Sequence, residues 1–140
     1  MYEYKCEVTR VVDGDTIDCI LDLGFSILHK CRVRLYGIDT PESRTRDLDE
    51  KARGKLASKF LEDSIKNGKE VILRSELKDS KGKYGRVLGS IVVDDTDINQ
   101  AMVEQNLAVK YFGQSKADVE AEHMLNRQKL IDSGAYVPDL

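Results

Sequence analysis

One proline, Pro41, limits what this chain can build. It lacks an N–H and biases Thr40 away from the helical region, so a strand arriving there must leave its sheet. The arriving segment, Cys31-Arg32-Val33-Arg34-Leu35-Tyr36, alternates with period two and is predicted as a strand with Arg32, Arg34 and Tyr36 on one face. Beyond it, Gly37-Ile38-Asp39-Thr40-Pro41-Glu42 puts two carboxylates at a strand end and the loop behind it, close to Arg34. Arginine in a strand calls for a carboxylate or phosphate partner. A guanidinium and two acids on a stiff turn have the make-up of a site.

The flanking sequence says which architecture carries that turn. Residues 4–12 are predicted as a first strand, Asp13-Gly14-Asp15-Thr16 as a turn with Gly14 free to take positive φ, and 17–23 as a second strand. Gly24 marks the next reversal, and 27–38 returns as one long strand. Three strands in close succession make an all-β beginning with no βαβ unit. A polar, basic loop (43–48) leads to a helix with Asp47 and Glu50 at N-cap and N3, an apolar stripe through Ala52, Leu56, Phe60 and Ala57, Leu61, Ile65, and a stop at Asn67-Gly68.

A fourth strand is expected over 69–74, a polar turn over 78–86, and a fifth strand over 87–93. Asp97 can cap a short helix with Ile98, Ala101, Met102 and Gln105 as its buried edge, and Asn106 suits the left-handed position after it. Tyr111-Phe112-Gly113 is an aromatic turn, and the last helix covers 116–132 with Val119, His123, Leu125 and Leu130 as its less polar points. The expected architecture is α+β: a small five-stranded barrel with three helices, as one domain over 1–140.

Composition narrows the function. A net charge of −3 argues against gripping nucleic acid by bulk charge, so a polyanion would need a local basic patch or a bound cation. No run of about 18 apolar residues exists to span a membrane. Met1-Tyr2-Glu3-Tyr4-Lys5 has no secretory character, so the protein is expected inside a cell unless a leader has been removed. Cys6, Cys19 and Cys31 lack C-x-x-C spacing and are expected as reduced, partly buried thiols, with Cys19 and Cys31 able to face each other across a hairpin.

Hard oxygen donors from two loops, Asp13 and Asp15 in one and Asp39 and Glu42 in the other, suit Ca²⁺ or Mg²⁺, whereas no Cys/His set suits zinc. Asp-Gly turns are common, and this signal alone does not separate a site from a plain turn. Arg34 and Arg86 add planar donors able to hold phosphate oxygens, which is what phosphodiester cleavage needs beside a cation and a free carboxylate. His29 and His123 have no evident nucleophile or orienting acid, and no G-x-x-x-x-G-K-S/T loop occurs.

Val12-Asp13-Gly14-Asp15-Thr16, then Arg34 with Ile38-Asp39-Thr40-Pro41-Glu42, then Lys83-Tyr84-Gly85-Arg86 together resemble the staphylococcal nuclease (thermonuclease) family, as does 99–108. The resemblance implies an oligonucleotide-binding (OB) barrel with three helices. It further implies Ca²⁺ held by Asp15, Asp39 and the Thr40 carbonyl, with Asp13 nearby. Glu42 would be the general base, Arg34 and Arg86 the phosphate clamp, and Lys83 and Tyr84 nucleotide contacts. The implied activity is Ca²⁺-dependent endonucleolytic cleavage of DNA and RNA to 3′-phosphates, by a monomer, with a phage setting among those that suit an intracellular nuclease. Three departures stand out: a longer hairpin over 21–30, Phe112 nearest the stacking position with Tyr111 adjacent, so either aromatic could bind the nucleotide, and a last helix that finishes in Gly134-Ala135-Tyr136 in place of the family's Trp-ended pattern. Relatives that have lost catalytic groups act as binding modules, so a non-catalytic nucleic-acid- or protein-binding OB module is the alternative; Asp15, Arg34, Asp39, Glu42 and Arg86 together favour the enzyme.

Overall fold

The structure, a computed structural model, describes residues 2–76 and 87–138. Its strands are β1 (Glu3–Asp13), β2 (Thr16–Asp22), β3 (Leu28–Leu35), β4 (Ile38–Asp39), β5 (Val71–Ser75), β6 (Val87–Val93), β7 (Thr96–Asp97) and β8 (Val109–Lys110), with helices α1 (Leu48–Asn67), α2 (Ile98–Glu104) and α3 (Lys116–Asp132). The order β3-β2-β1-β5-β6 is antiparallel until β3 meets β6 in parallel and closes a five-stranded barrel. The short β4 and β8 form a separate antiparallel ribbon beside it. This is the α+β, OB-type barrel with three helices that the sequence led us to expect.

Alternation does the sorting. Along β2 the side chains of Ile17, Cys19 and Leu21 point inward, and along β3 those of Val33 and Leu35 do, leaving Arg32 and Arg34 on the outer face. Ile17, Val33, Leu35, Leu61, Leu73, Ile91 and Met102 form the fully buried centre. Burying each such side chain contributes about 1.5–3 kcal/mol, so β2, β3, α1, β5, β6 and α2 all hold one core.

Several expectations are corrected by packing. The strand expected over 27–38 breaks at Tyr36-Gly37, where Gly37 takes φ +76°, and resumes as β4. Gly14 has no positive φ; a Cβ there would lie 2.7 Å from Ala57 Cβ and 3.0 Å from Thr40 Oγ1, so glycine is needed for close approach of the turn to α1. Helix α1 does stop at Asn67-Gly68 as expected, with Gly68 as its cap in an extended conformation, and a Cβ on it would come 2.1 Å from Val93 Cγ1.

In α1 the buried face is Arg53, Gly54, Ala57 and Leu61 rather than the full apolar stripe. Asp47 is the N-cap as expected, accepting from the N–H groups of Asp49 and Glu50, both at 3.1 Å. In α2, Ile98 and Met102 are buried, but Ala101 is only half-buried and Gln105 exposed; Asn99 takes the interior place instead. Its side chain accepts from Ile91 N–H at 3.2 Å and donates to the carbonyls of Tyr36 (3.0 Å) and Gly89 (3.3 Å), satisfying barrel backbone that α2 covers. Asn106 takes φ +62° as expected. In α3, Leu125 is exposed while Val119, His123 and Leu130 are buried.

The three cysteines are free, with Cys19 and Cys31 Sγ atoms 3.9 Å apart. Burial, then the neighbouring Cys19, pushes the Cys31 thiol up to about 12, and hydrogen bonding with Cys6 followed by burial pushes Cys19 up as well. Cys19 and Cys31 are thus unreactive thiols near neutral pH. No helix among the described residues is long and apolar enough to cross a membrane.

Asp49 ties the helices together. Its carboxylate accepts from Arg53 Nε and Arg127 Nε, each at 3.0 Å, and from the Tyr136 hydroxyl at 2.6 Å. Burial pushes the carboxyl up, but the hydrogen bonds from Tyr136, Arg127 and Arg53 outweigh it and hold it below its ordinary value. A depressed acid adds stability that is complete above the unfolded value of about 3.9 and fades as pH drops through the folded one. Asp49→Asn should therefore lower the melting temperature at neutral pH, with the gap from wild type closing only in strong acid; a gap independent of pH would show that the charge contributes nothing.

Candidate active site

The site residues from the first half of the chain meet at one end of the barrel. Asp15 sits in the β1–β2 turn, Arg34 one residue before the end of β3, and Asp39 at the end of β4. Arg34 NH2 lies 3.5 Å from Asp15 Oδ2 and 3.6 Å from Asp39 Oδ1, while NH1 donates to the Leu35 carbonyl at 2.9 Å. The two arginines of β3 thus divide. Arg32 is engaged by Asp18 through two contacts, Nε to Oδ1 at 2.8 Å and NH2 to Oδ2 at 3.2 Å, and that fork holds Asp18 below the usual carboxylate range. Arg34 instead stands between two acids with no such short fork.

Backbone contacts fix the rest. Thr40 N–H donates to Asp15 Oδ2 at 3.2 Å, binding the proline turn to the Asp-Gly turn. Thr40 Oγ1 is buried with no hydrogen-bond partner among the described residues. Asp13 accepts from Ser43, through its N–H at 3.3 Å and through its hydroxyl, so it braces the loop after Glu42. Glu42 N–H donates to Glu50 Oε2 at 3.0 Å, which means Glu50 serves the site loop rather than closing a capping box on Asp47. Gly54 of α1 lets that loop lie flat on the helix: a Cβ there would be 2.6 Å from the Glu42 carbonyl carbon. Glu42 itself is exposed.

Two cavities adjoin at Arg34. One, of about 410 Å³, is mainly apolar and includes Tyr36, Gly37, Leu88, Tyr111 and Phe112 in its lining. The other, of about 430 Å³, takes in Asp39, Thr40, Glu42, Glu50, Lys116 and His123. Arg34 and Tyr111 line both, whereas Phe112 lines only the first, its ring set edge-on to Tyr36 with centroids 6.0 Å apart. Lys83, Tyr84 and Arg86 lie outside the described residues; β6 begins at Val87, and Leu88 pairs with Arg34.

One site neighbour escaped the sequence. His123 of α3, 6% exposed, has Nε2 2.7 Å from Asp39 Oδ2. Nothing local to His123 announces that partner, because Asp39 is 84 residues away along the chain; the buried Val119–His123–Leu130 face of α3 was the available signal.

The donor set suits a hard divalent cation, with carboxylates on Asp15 and Asp39 and a main-chain carbonyl on Thr40. Among the described residues no three His, Cys, Asp or Glu side chains converge as a metal cage.

A closed OB-type barrel with an arginine flanked by two acids at its rim defines the class: a small OB-fold protein with a charged site beside an apolar cavity. The family profile described as "Staphylococcal nuclease homologue" matches residues 32–131, and the chain belongs to that family. Its relatives include the thermonuclease of Staphylococcus intermedius, 37% identical over 101 residues (72% of this chain, 56% of the relative). Protein ParB of Escherichia coli is 36% identical over 120 residues (78% and 58%), and endonuclease YhcR of Bacillus subtilis (strain 168) 35% over 118 residues (79% and 9%). The chain thus spans less than two thirds of the length of each of these relatives.

Proposed function

We propose that this chain, acting as one monomeric domain, is a Ca²⁺-dependent endonuclease that hydrolyses DNA and RNA and leaves 3′-phosphates. The observation that carries the reading is the position of Arg34, between Asp15 and Asp39 and at the junction of an apolar and an acid-lined cavity. A nucleotide needs both surroundings, an apolar slot for a base and fixed positive charge for its phosphate. Membership of the staphylococcal nuclease family and the endonuclease names of relatives support the same conclusion.

In this mechanism Arg34 and Arg86 hold non-bridging oxygens of the scissile phosphate and offset the charge that grows on them as the phosphorus becomes five-coordinate. Glu42 accepts a proton from a water molecule, whose oxygen bonds to phosphorus as the bond to the 5′-oxygen breaks. Arg86 eases departure of that oxygen, which takes a proton from solvent water and leaves as a 5′-hydroxyl. Tyr111 and Phe112 provide aromatic surface for a base, and Lys83 and Tyr84 contact the nucleotide. Asp15, Asp39 and the Thr40 carbonyl would hold Ca²⁺, which supplies Lewis-acid polarisation of the phosphate.

End-group mapping tests the geometry of attack. Cleavage of a labelled single-stranded oligonucleotide should give fragments with 3′-phosphate and 5′-hydroxyl ends. Fragments with 5′-phosphates would place the broken bond on the other side of phosphorus and reject the roles given to Glu42 and Arg86.

A further inference from the structure

His123 is a buried titratable side chain with no part in the proposed mechanism. The buried face of α3 is short: Val119, His123 one turn on, and Leu130. An imidazole in the middle of such a face costs free energy unless its polar atoms are bonded. Here Nε2 meets Asp39 Oδ2 at 2.7 Å, and an ionised carboxylate only accepts, so Nε2 carries the hydrogen. The other oxygen of the same carboxylate, Oδ1, faces Arg34 NH2 at 3.6 Å. A hydrogen bond from α3 and a guanidinium from β3 therefore flank the Asp39 carboxylate.

The same helix also fixes the backbone beneath. Asp39 pairs with Val109 in the β4–β8 ribbon. Asn126, three residues beyond His123 and so on the same side of α3, donates its Nδ2–H to the carbonyl of Ala108 at 3.1 Å, immediately before β8. Arg127, next along, reaches Asp49 of α1 at 3.0 Å. Helix α3 is thus locked to β8 and to α1, and β8 is locked to the strand that carries Asp39, so the imidazole is presented from a rigid base.

We infer that His123 is a positioning residue. From α3 it fixes the orientation of the Asp39 carboxylate, so that α3, the element furthest along the chain, sets cation affinity at a site built from its first third. The inference rests on the assignment of Asp39 as a cation ligand in the proposed function. An outer hydrogen bond of this kind removes the freedom a ligand would otherwise lose on binding metal, and its loss elsewhere typically costs about 10–100-fold in metal affinity or activity.

Two variants separate the hydrogen bond from the packing: His123→Phe keeps ring volume and removes the donor, and His123→Gln keeps a donor at similar reach. In calorimetric titration of the full chain with Ca²⁺ alone, His123→Phe should weaken binding by about 10-fold or more, and His123→Gln should recover most of the loss. In cleavage assays the Ca²⁺ concentration for half-maximal rate should rise in His123→Phe, with kcat at saturating Ca²⁺ close to wild type. Equal Ca²⁺ affinity in wild type and His123→Phe overturns the inference. The imidazole ¹⁵N resonances of the metal-free protein give a test that needs neither cation nor a folded His123 variant. The Nε2 resonance should move in Asp39→Asn, and an unmoved resonance likewise overturns the inference. Failure of the wild-type chain to bind Ca²⁺ would instead reject the cation assignment of the proposed function, and with it the role of His123 in cation affinity; the ¹⁵N comparison would then report whether the Asp39 contact itself exists.

Discussion

Replacing Glu42 with Gln should leave single-stranded DNA binding intact and reduce turnover by about 10²- to 10⁴-fold, the usual contribution of a general base. That range corresponds to roughly 2.7–5.5 kcal/mol of barrier. The amide matches the carboxylate in size but cannot take a proton from water. Nor should the substitution disturb the loop. Glu42 is exposed, and the loop's anchors do not involve its side chain: Glu42 N–H on Glu50, and the N–H and hydroxyl of Ser43 on Asp13. Folding stability is expected within about 0.5 kcal/mol of wild type, as for most exposed substitutions. A variant with unchanged kcat would remove Glu42 as the base. One that lost DNA binding along with turnover would move its role from proton transfer to substrate contact.

Arg34→Ala should cost about 10²- to 10³-fold in kcat, the usual effect of deleting one donor to a transition-state oxyanion. The same change should act oppositely on the cation. Arg34 NH2 lies within 3.6 Å of both the Asp15 and Asp39 carboxylates, so its removal leaves two acids facing each other without a neutralising charge. Ca²⁺ should then bind at least as tightly as in wild type, because the guanidinium that faces both carboxylates no longer opposes it. Turnover and cation affinity moving apart identify Arg34 as a phosphate ligand. Both falling together would make it a scaffold for the acids. Arg34→Lys should not restore the rate, since an ammonium is a point charge and lacks the planar fork.

What the sequence made legible was whatever depends on near neighbours along the chain. Strand β6 over 87–93 and helix α3 over 116–132 have the bounds their residues suggest, because a run of branched apolar residues and a stretch free of Gly and Pro are local signals. The Asp47 cap and left-handed Asn106 are local too. The glycines show the complementary case: Gly68 ends α1 as its residues suggest, whereas Gly14 lacks the positive φ expected of it. Gly14 and Gly68 look like turn formers, yet what excludes a side chain at each is a distant element, Ala57 and Thr40 for one and Val93 for the other. Likewise Arg53 is buried within α1 through Asp49, Asn99 is drawn inward to satisfy barrel backbone, and β4 and β8 are too short for a period to register. Within the site, the proline turn showed Arg34, Asp39 and Glu42 together, whereas His123 reaches Asp39 only through the β4–β8 pairing and the seating of α3.

The central claim is that this barrel rim cleaves phosphodiesters with the help of Ca²⁺. Incubation of the full chain with labelled single-stranded DNA and RNA, with Ca²⁺, with Mg²⁺ and with chelator, tests it most directly. Cleavage of both nucleic acids in Ca²⁺ that stops with chelator, and that is lost in Glu42→Gln, is the expected result. Binding without cleavage under every divalent ion would contradict it and leave a nucleic-acid-binding OB module in its place.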